Sequence, residues 1–420
     1  MLKYLGILIV GILTSFYFFP FKFTFFPIAN TKLVLSVVGL FVLIFNLASQ
    51  GKAKIGKDLL ILSLFAIGVS FASLFSMVYN NTTDDSYLAY IVSMWVWLSA
   101  AYLMVSSIKK VHGTVSVELI CLYLIAVGVS QCILAICIDK FPAVKSFVDS
   151  FLLNWKFDGR LYGIGCAVDV GAGRLAVLLV MIAYLIPKMI EEKRPNTQII
   201  LLFISYLVIA TLGNMIGRTT TVGLLVSIVY LIYYGLSNNT VRNKLWKMTV
   251  GAFLVCILIF TYLYNSNSYW KGQLRFGFEG FFSLVEQGEW NVQSNNMLAK
   301  GFIYPDNTKT WLIGDGYMGD PDNDPYYIGE DSYGFYKNTD AGYSRFLFYF
   351  GIFGLSIFSL FMIKVCQVNM KKNPRHQLIF MMILALNFAI WIKVSTDIFL
   401  AFAPFLCLPG EEKGVGGQGG

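Results

Sequence analysis

The chain has 420 residues, 57% of them hydrophobic and only 13% charged, with a formal net charge of +8. About a quarter of the residues in a soluble domain are charged, so the composition excludes a soluble enzyme and predicts an all-α polytopic membrane protein. Most Lys and Arg lie in short loops between apolar runs, where they set orientation rather than meet nucleic acid. The seven cysteines, Cys121, Cys132, Cys137, Cys166, Cys256, Cys366 and Cys407, are spread singly and mostly inside apolar runs, and read as packing residues rather than disulfides or metal ligands.

Lys3 precedes the first apolar run as in a signal peptide, but no small-x-small cleavage site follows, so the run reads as a retained helix. Segments able to span a bilayer, about 17 to 25 residues with some shorter and tilted, lie near 4–19, 33–48, 59–79, 88–106, 115–137, 171–187, 198–216, 219–236, 249–264, 342–365, 377–392 and 396–409. They predict 10 to 12 transmembrane helices. The domain reading is 1–264 for nine spans with short loops, 265–341 for one large exterior loop, 342–409 for the C-terminal spans, and 410–420 for a flexible Gly-rich tail.

The loops alternate in charge. Lys52, Lys54 and Lys57, then Lys109 and Lys110, Lys188, Lys193 and Arg194, Arg242, Lys244 and Lys247, and Lys371, Lys372 and Arg375 fall on one side, which the positive-inside rule makes cytoplasmic, with the N-terminus. Opposite them lie the cation-free stretch from Asn80 to Tyr87, the segment 138–170, the tight turn at Gly217, Arg218 and Thr219, and the long loop. In a Gram-negative cell that side is periplasmic and the membrane is the inner one. No internal repeat or matched pair of broken helices points to a secondary transporter.

The long loop interleaves carboxylates with aromatics, among them Trp311, Tyr317 and Tyr333. Rings that stack on sugars beside groups that accept hydroxyl hydrogen bonds make a glycan surface; alternatively the rings are an interfacial belt. Asp320, Asp322, Asp324 and Asp331 have the spacing of a calcium loop, but Pro325 stands where the turn glycine belongs. No metal is expected there.

Four exterior arginines stand out: Arg160, Arg174, Arg218 and Arg345. A guanidinium inside an apolar stretch costs roughly 2.5–3.5 kcal/mol at mid-bilayer, and its planar fork suits phosphate oxygens. Arg218 and Arg345 read as functional, lining one outward cavity with Arg160 and Arg174; for the latter two, snorkelling at a helix end is the alternative.

An arginine before a Thr-rich helix start (Arg218, Thr219, Thr220, Thr221), one large late exterior loop, and the run from Thr339 to Gly354 resemble the O-antigen polymerase and O-antigen ligase superfamily. The resemblance implies a GT-C-like fold and glycosyl transfer from an undecaprenyl-diphosphate-linked oligosaccharide, without cofactor or metal. It implies partners in the same pathway, a chain-length regulator and a flippase. Arg218, Arg174 and Arg160 would bind the diphosphate, with Arg345 and Tyr343 beside the reaction. Ligases of this superfamily carry an exterior histidine, whereas this chain has only His112 and His376, both in cytoplasmic loops; the expectation is therefore a polymerase, with ligase or lipid-linked oligosaccharide flippase as alternatives. Asp340 is the candidate base, or else a helix cap.

Overall fold

The computed structural model describes residues 2–49, 56–153, 160–325, 327–329 and 334–409. Tyr333, Asp331 and the tail 410–420 lie outside the described residues. In chain order, α1 (Leu2–Phe18) leads through an antiparallel ribbon, β1 (Lys22–Phe23) and β2 (Phe26–Asn30), into α2 (Thr31–Ser49), α3 (Lys57–Asn80), α4 (Tyr90–His112) and α5 (Val117–Lys140). After α6 (Pro142–Phe151) come α7 (Val168–Glu191), α8 (Asn196–Ile216), α9 (Thr220–Ser237) and α10 (Asn239–Ser266). Four short helices follow, α11 (Ser268–Gly277), α12 (Glu279–Gln287), α13 (Gln293–Gly301) and α14 (Thr308–Ile313), and then α15 (Gly342–Lys372), α16 (Gln377–Ile390) and α17 (Phe399–Leu406).

Among the described residues nine helices, α2 to α5, α7 to α10 and α15, are long and apolar enough to cross a membrane. The chain is a helical multi-pass membrane protein. Two expected spans, α1 and the stretch Pro374–Ile390, are shorter apolar helices. The expected span at 396–409 is corrected: only the eight residues of α17 are helical, about 12 Å at 1.5 Å per residue, and every one is buried. It is a plug inside the bundle, tied to α1 by the Tyr17 hydroxyl, which donates to the Leu400 carbonyl at 2.6 Å.

Helix α7 is the axis, with 94% of its apolar window buried, whereas α10 has 6%. In lipid, helices gain little by hiding apolar side chains from one another and are held by close packing of small residues. Two contacts show this. A Cβ on Gly39 of α2 would collide with the Ser99 carbonyl of α4, and one on Gly223 of α9 would collide with Ala176 of α7. Helix α10, with its apolar side chains outward, is a lipid-facing strut.

The expected large loop is folded rather than extended. Its second half is pinned to the α3–α4 connection: Asp84 accepts from the Met318 and Gly319 amides at 2.7 and 2.9 Å, and Asp324 accepts from Thr83 N–H and hydroxyl at 2.8 and 2.9 Å. Asn80 is bonded by Lys309 at 2.6 Å, and Lys309 also pairs with Asp315 at 2.7 Å. Helix α15 kinks at Phe350 and Gly351, where Gly351 takes φ 63° and a Cβ would strike the Leu312 carbonyl; only glycine fits a left-handed backbone at such close approach. The kink is the seat of α14.

Candidate functional site

The site begins at the turn between α8 and α9. Gly217 lies so close to the start of α7 that a Cβ would meet Ala172 and the Val168 carbonyl at 2.8 Å. Each of the three threonines after Arg218 then spends its hydroxyl on holding the turn. Thr219 donates to the Asp169 carboxylate, Thr220 to the Gly213 carbonyl at 3.0 Å, and Thr221 to Asn214 Oδ1 at 2.5 Å. Asp169 also pairs with Lys393 at 3.1 Å. The Thr-rich start thus fixes where Arg218 projects.

Arg218 projects into a cavity of about 580 Å³ whose wall includes Arg160, Arg218, Arg275, Phe276, Glu279 and Glu286. The Phe276 ring carries two cations, with the Arg218 guanidinium 4.7 Å and the Arg160 guanidinium 5.3 Å from its centroid; each such contact is worth about 0.5–1 kcal/mol at an exposed site. Arg218 is also ion-paired with Glu279, and Arg275 is gripped by Glu286. The Glu286 carboxylate, followed by the Tyr264 hydroxyl, holds the Arg275 guanidinium above its ordinary pKa. Ser283, Asn291, Gln293 and Asn296 complete the wall with uncharged hydrogen-bonding groups.

Arg174 and Arg345 are not among the residues lining this cavity, so the expectation of a single cavity for all four arginines is corrected: the register of α7 turns Arg174 elsewhere. Arg174 faces Trp97 of α4 at 6.0 Å, and Lys32 of α2 lies 4.2 Å from the same ring. Asp397, between α16 and α17, interacts electrostatically with both cations. All three sit deep in the bundle, yet each keeps part of its surface accessible. None of the three has an ion pair within 4 Å among the described residues, and Arg174 Nε has no hydrogen-bond partner. The buried Tyr90 hydroxyl lies against the Asp397 carboxylate.

Arg345, in the first turn of α15, donates to the Met318 carbonyl at 2.9 Å and lies 3.9 Å from the Phe335 centroid, with Nε unpartnered. Asp340 is exposed, within electrostatic reach of Arg345 and not in the wall of the arginine cavity. It makes no side-chain cap on α15. Tyr343 spends its hydroxyl on the Phe388 carbonyl at 3.1 Å and its amide on the Trp391 carbonyl at 2.9 Å.

The aromatic expectation divides. Trp311 stacks on Tyr304 with centroids 6.1 Å apart and planes 8° apart, both partly open to solvent. Tyr317 is corrected as a sugar platform: it is buried in a small core with Tyr336 and Phe348, its ring 5.3 Å from Tyr336 and 5.4 Å from Tyr327. Burial, with Asp324 nearby, pushes its hydroxyl up to about 12. His112 and His376 both lie at the far end of the bundle, His112 bonded to Tyr123 and His376 to Tyr184.

Sequence reasoning missed Arg275, Phe276 and Glu279 in the cavity, and Lys32, Asp397 and Lys393 beside the arginines. For α12 a signal was present: Glu279 and Glu286 are seven residues apart, hence on one helical face. No protein-family model, curated protein or solved structure matches this chain.

Proposed function

We propose that this protein is a membrane glycosyltransferase, a polymerase that joins polyprenyl-diphosphate-linked oligosaccharide repeat units into O-antigen, capsular or exopolysaccharide chains. The observation that carries the reading is the Arg160, Phe276 and Arg218 cavity, at the end of the bundle where α11 to α14 form a cover. It combines forked cations with uncharged hydrogen-bonding side chains, which suits a diphosphate joined to a sugar.

In this reading Arg218 and Arg160 hold the donor diphosphate, and Arg174 with Lys32 extends the positive field into the bundle. An acceptor hydroxyl attacks the anomeric carbon, the carbon–oxygen bond to diphosphate breaks, and its electron pair leaves on the diphosphate. Charge on that leaving group grows toward the transition state, so fixed guanidinium groups stabilise the transition state more than the ground state. Arg345, with Asp340 and Tyr343 near it, stands on the acceptor side. The donor carries its own activation, so the step requires neither nucleotide nor metal. The cover would face the periplasm across the inner membrane, where a flippase delivers donor and a chain-length regulator sets product size. The far-end position of both histidines favours this reading over a ligase with a histidine base.

Deletion of the gene, with surface and lipid-linked glycans resolved on gels, tests it. Collapse of the ladder to one repeat, restored by wild type, is the expected result. Full-length polymer trapped on polyprenyl diphosphate would mean a ligase, and an unchanged ladder would overturn the polymerase.

A further inference from the structure

The Arg218 guanidinium does not wait empty. Glu279, the first residue of α12, is paired with it, and the other carboxylate oxygen of Glu279 accepts the Gln293 amide at 3.2 Å at the start of α13. Seven residues on, Glu286 occupies Arg275 with both oxygens. Two carboxylates on one face of one helix therefore fill two of the cavity's three guanidinium sites. A carboxylate is the nearest side-chain likeness to a phosphate for an arginine fork, but it brings one negative charge where a diphosphate brings more. The donor is thus a stronger ligand for the same guanidinium and must displace Glu279 to reach it.

Displacement leaves Glu279 in a distinctive position. It stays in the cavity wall, next to the guanidinium that now holds the leaving group, with Ser283, Asn291 and Asn296 around the same space. Its Oε2, engaged by Arg218 before, is free, while Oε1 keeps the Gln293 amide. Asp340, the carboxylate suggested by sequence, does not line this space.

We propose that Glu279 is the catalytic base of the transfer, held off by Arg218 until the donor diphosphate takes the guanidinium. The acceptor hydroxyl gives its proton to the freed Glu279 carboxylate as its oxygen bonds the anomeric carbon, and the diphosphate departs with the electron pair of the broken bond. The exchange couples the two events: no base is exposed until a donor is seated. The proposal rests on the polymerase reading.

The test uses purified wild type, Glu279→Gln and Glu279→Asp in lipid nanodiscs, each checked for monodisperse elution. Two quantities are read: affinity for inorganic pyrophosphate as the diphosphate probe, and elongation of lipid-diphosphate-linked repeats. Glu279→Gln should bind pyrophosphate more tightly, because the competing carboxylate is gone, yet elongate about 10²–10⁴-fold more slowly, the usual worth of a general base. Glu279→Asp, which keeps the carboxylate, should recover part of the elongation. A merely structural role would weaken both quantities together. Wild type and Glu279→Gln elongating equally would overturn the base while leaving the polymerase standing, and unchanged pyrophosphate affinity in Glu279→Gln would overturn the exchange. Wild type that binds pyrophosphate but never elongates would overturn the polymerase reading itself.

Discussion

Arg218 and Arg174 look alike in the sequence, each an arginine at the head of an apolar helix, yet the fold gives them opposite surroundings. Arg218 has a carboxylate and a ring, in a cavity walled in part by α11 and α12. Arg174 shares one carboxylate, Asp397, with a second cation, Lys32, and among the described residues that carboxylate is within ion-pair distance of neither cation. The first is a site where one anion exchanges for another at small net cost in charge. The second is a standing positive field, two cations against one carboxylate, whose stability depends on an incomplete balance. A buried guanidinium therefore does not define a role until its counter-charge is known.

The sharpest way to break the comparison is to remove Arg218. On the polymerase proposal, Arg218→Ala should lower elongation about 10³-fold, the effect of losing a preorganised cation that faces a leaving group. Arg218→Lys should recover little of it, because a lysine cannot supply the fork. Measured on purified protein with lipid-linked repeats, activity of Arg218→Ala equal to wild type would remove this arginine from the mechanism. Arg174→Met comes next. Losing one of two like cations should leave melting temperature within a few degrees of wild type while slowing elongation about 10²-fold through a weaker field. If activity is kept and stability falls, Arg174 is structural and the contrast disappears.

Asp397→Asn sharpens the other side. It leaves Lys32 and Arg174 with no opposing carboxylate, while the Asn Oδ1 can still accept from the Phe399 amide, which Asp397 bonds at 2.8 Å at the head of α17. A loss of about 1–3 kcal/mol is expected for an unbalanced polar group, read as a lower unfolding temperature in detergent. Adding Lys32→Met should recover part of the loss, since the same imbalance is then relieved. No recovery would mean that the loss does not arise from an unbalanced Lys32.

These differences were only partly legible in the sequence. Long apolar runs announced most of the helices because a bilayer imposes both length and composition. The same rule misread 396–409, since a buried plug such as α17 is as apolar as a span and only its helix length separates them. The turn at Arg218 was legible through its threonines, whose hydroxyls do the local holding. Its partner was not, because Glu279 lies 61 residues away on a nine-residue helix whose own pattern does not say which distant turn it meets. The separation of Arg174 from Arg218 depends on the rotation of α7 about its axis, which hydropathy does not report when nearly every face is buried. Tyr317 was misjudged for a related reason: a tyrosine-rich stretch has the same composition whether its rings stack outward or on one another.

The smallest effect is expected at Trp311, and the reason is its place in the cover. Tyr304 and Trp311 stack with each other, part of both rings remaining in solvent, beside the α15 kink and outside the wall of the arginine cavity. Trp311→Ala should therefore leave the rate of single additions within about three-fold of wild type, since no group facing the leaving diphosphate is touched and a surface change away from packed features costs little. An aromatic pair of that geometry suits one sugar of a growing chain, so the effect should appear in product length, as a ladder displaced to shorter chains. Tyr317→Ala supplies the contrast within the same cover. It empties a packed position between Tyr336 and Phe348 and should cost about 2–4 kcal/mol of stability with no selective change in ladder shape. If Trp311→Ala instead slows every addition alike, the cover is coupled to the arginine cavity, and Arg218 is not set by its own turn and Glu279 alone.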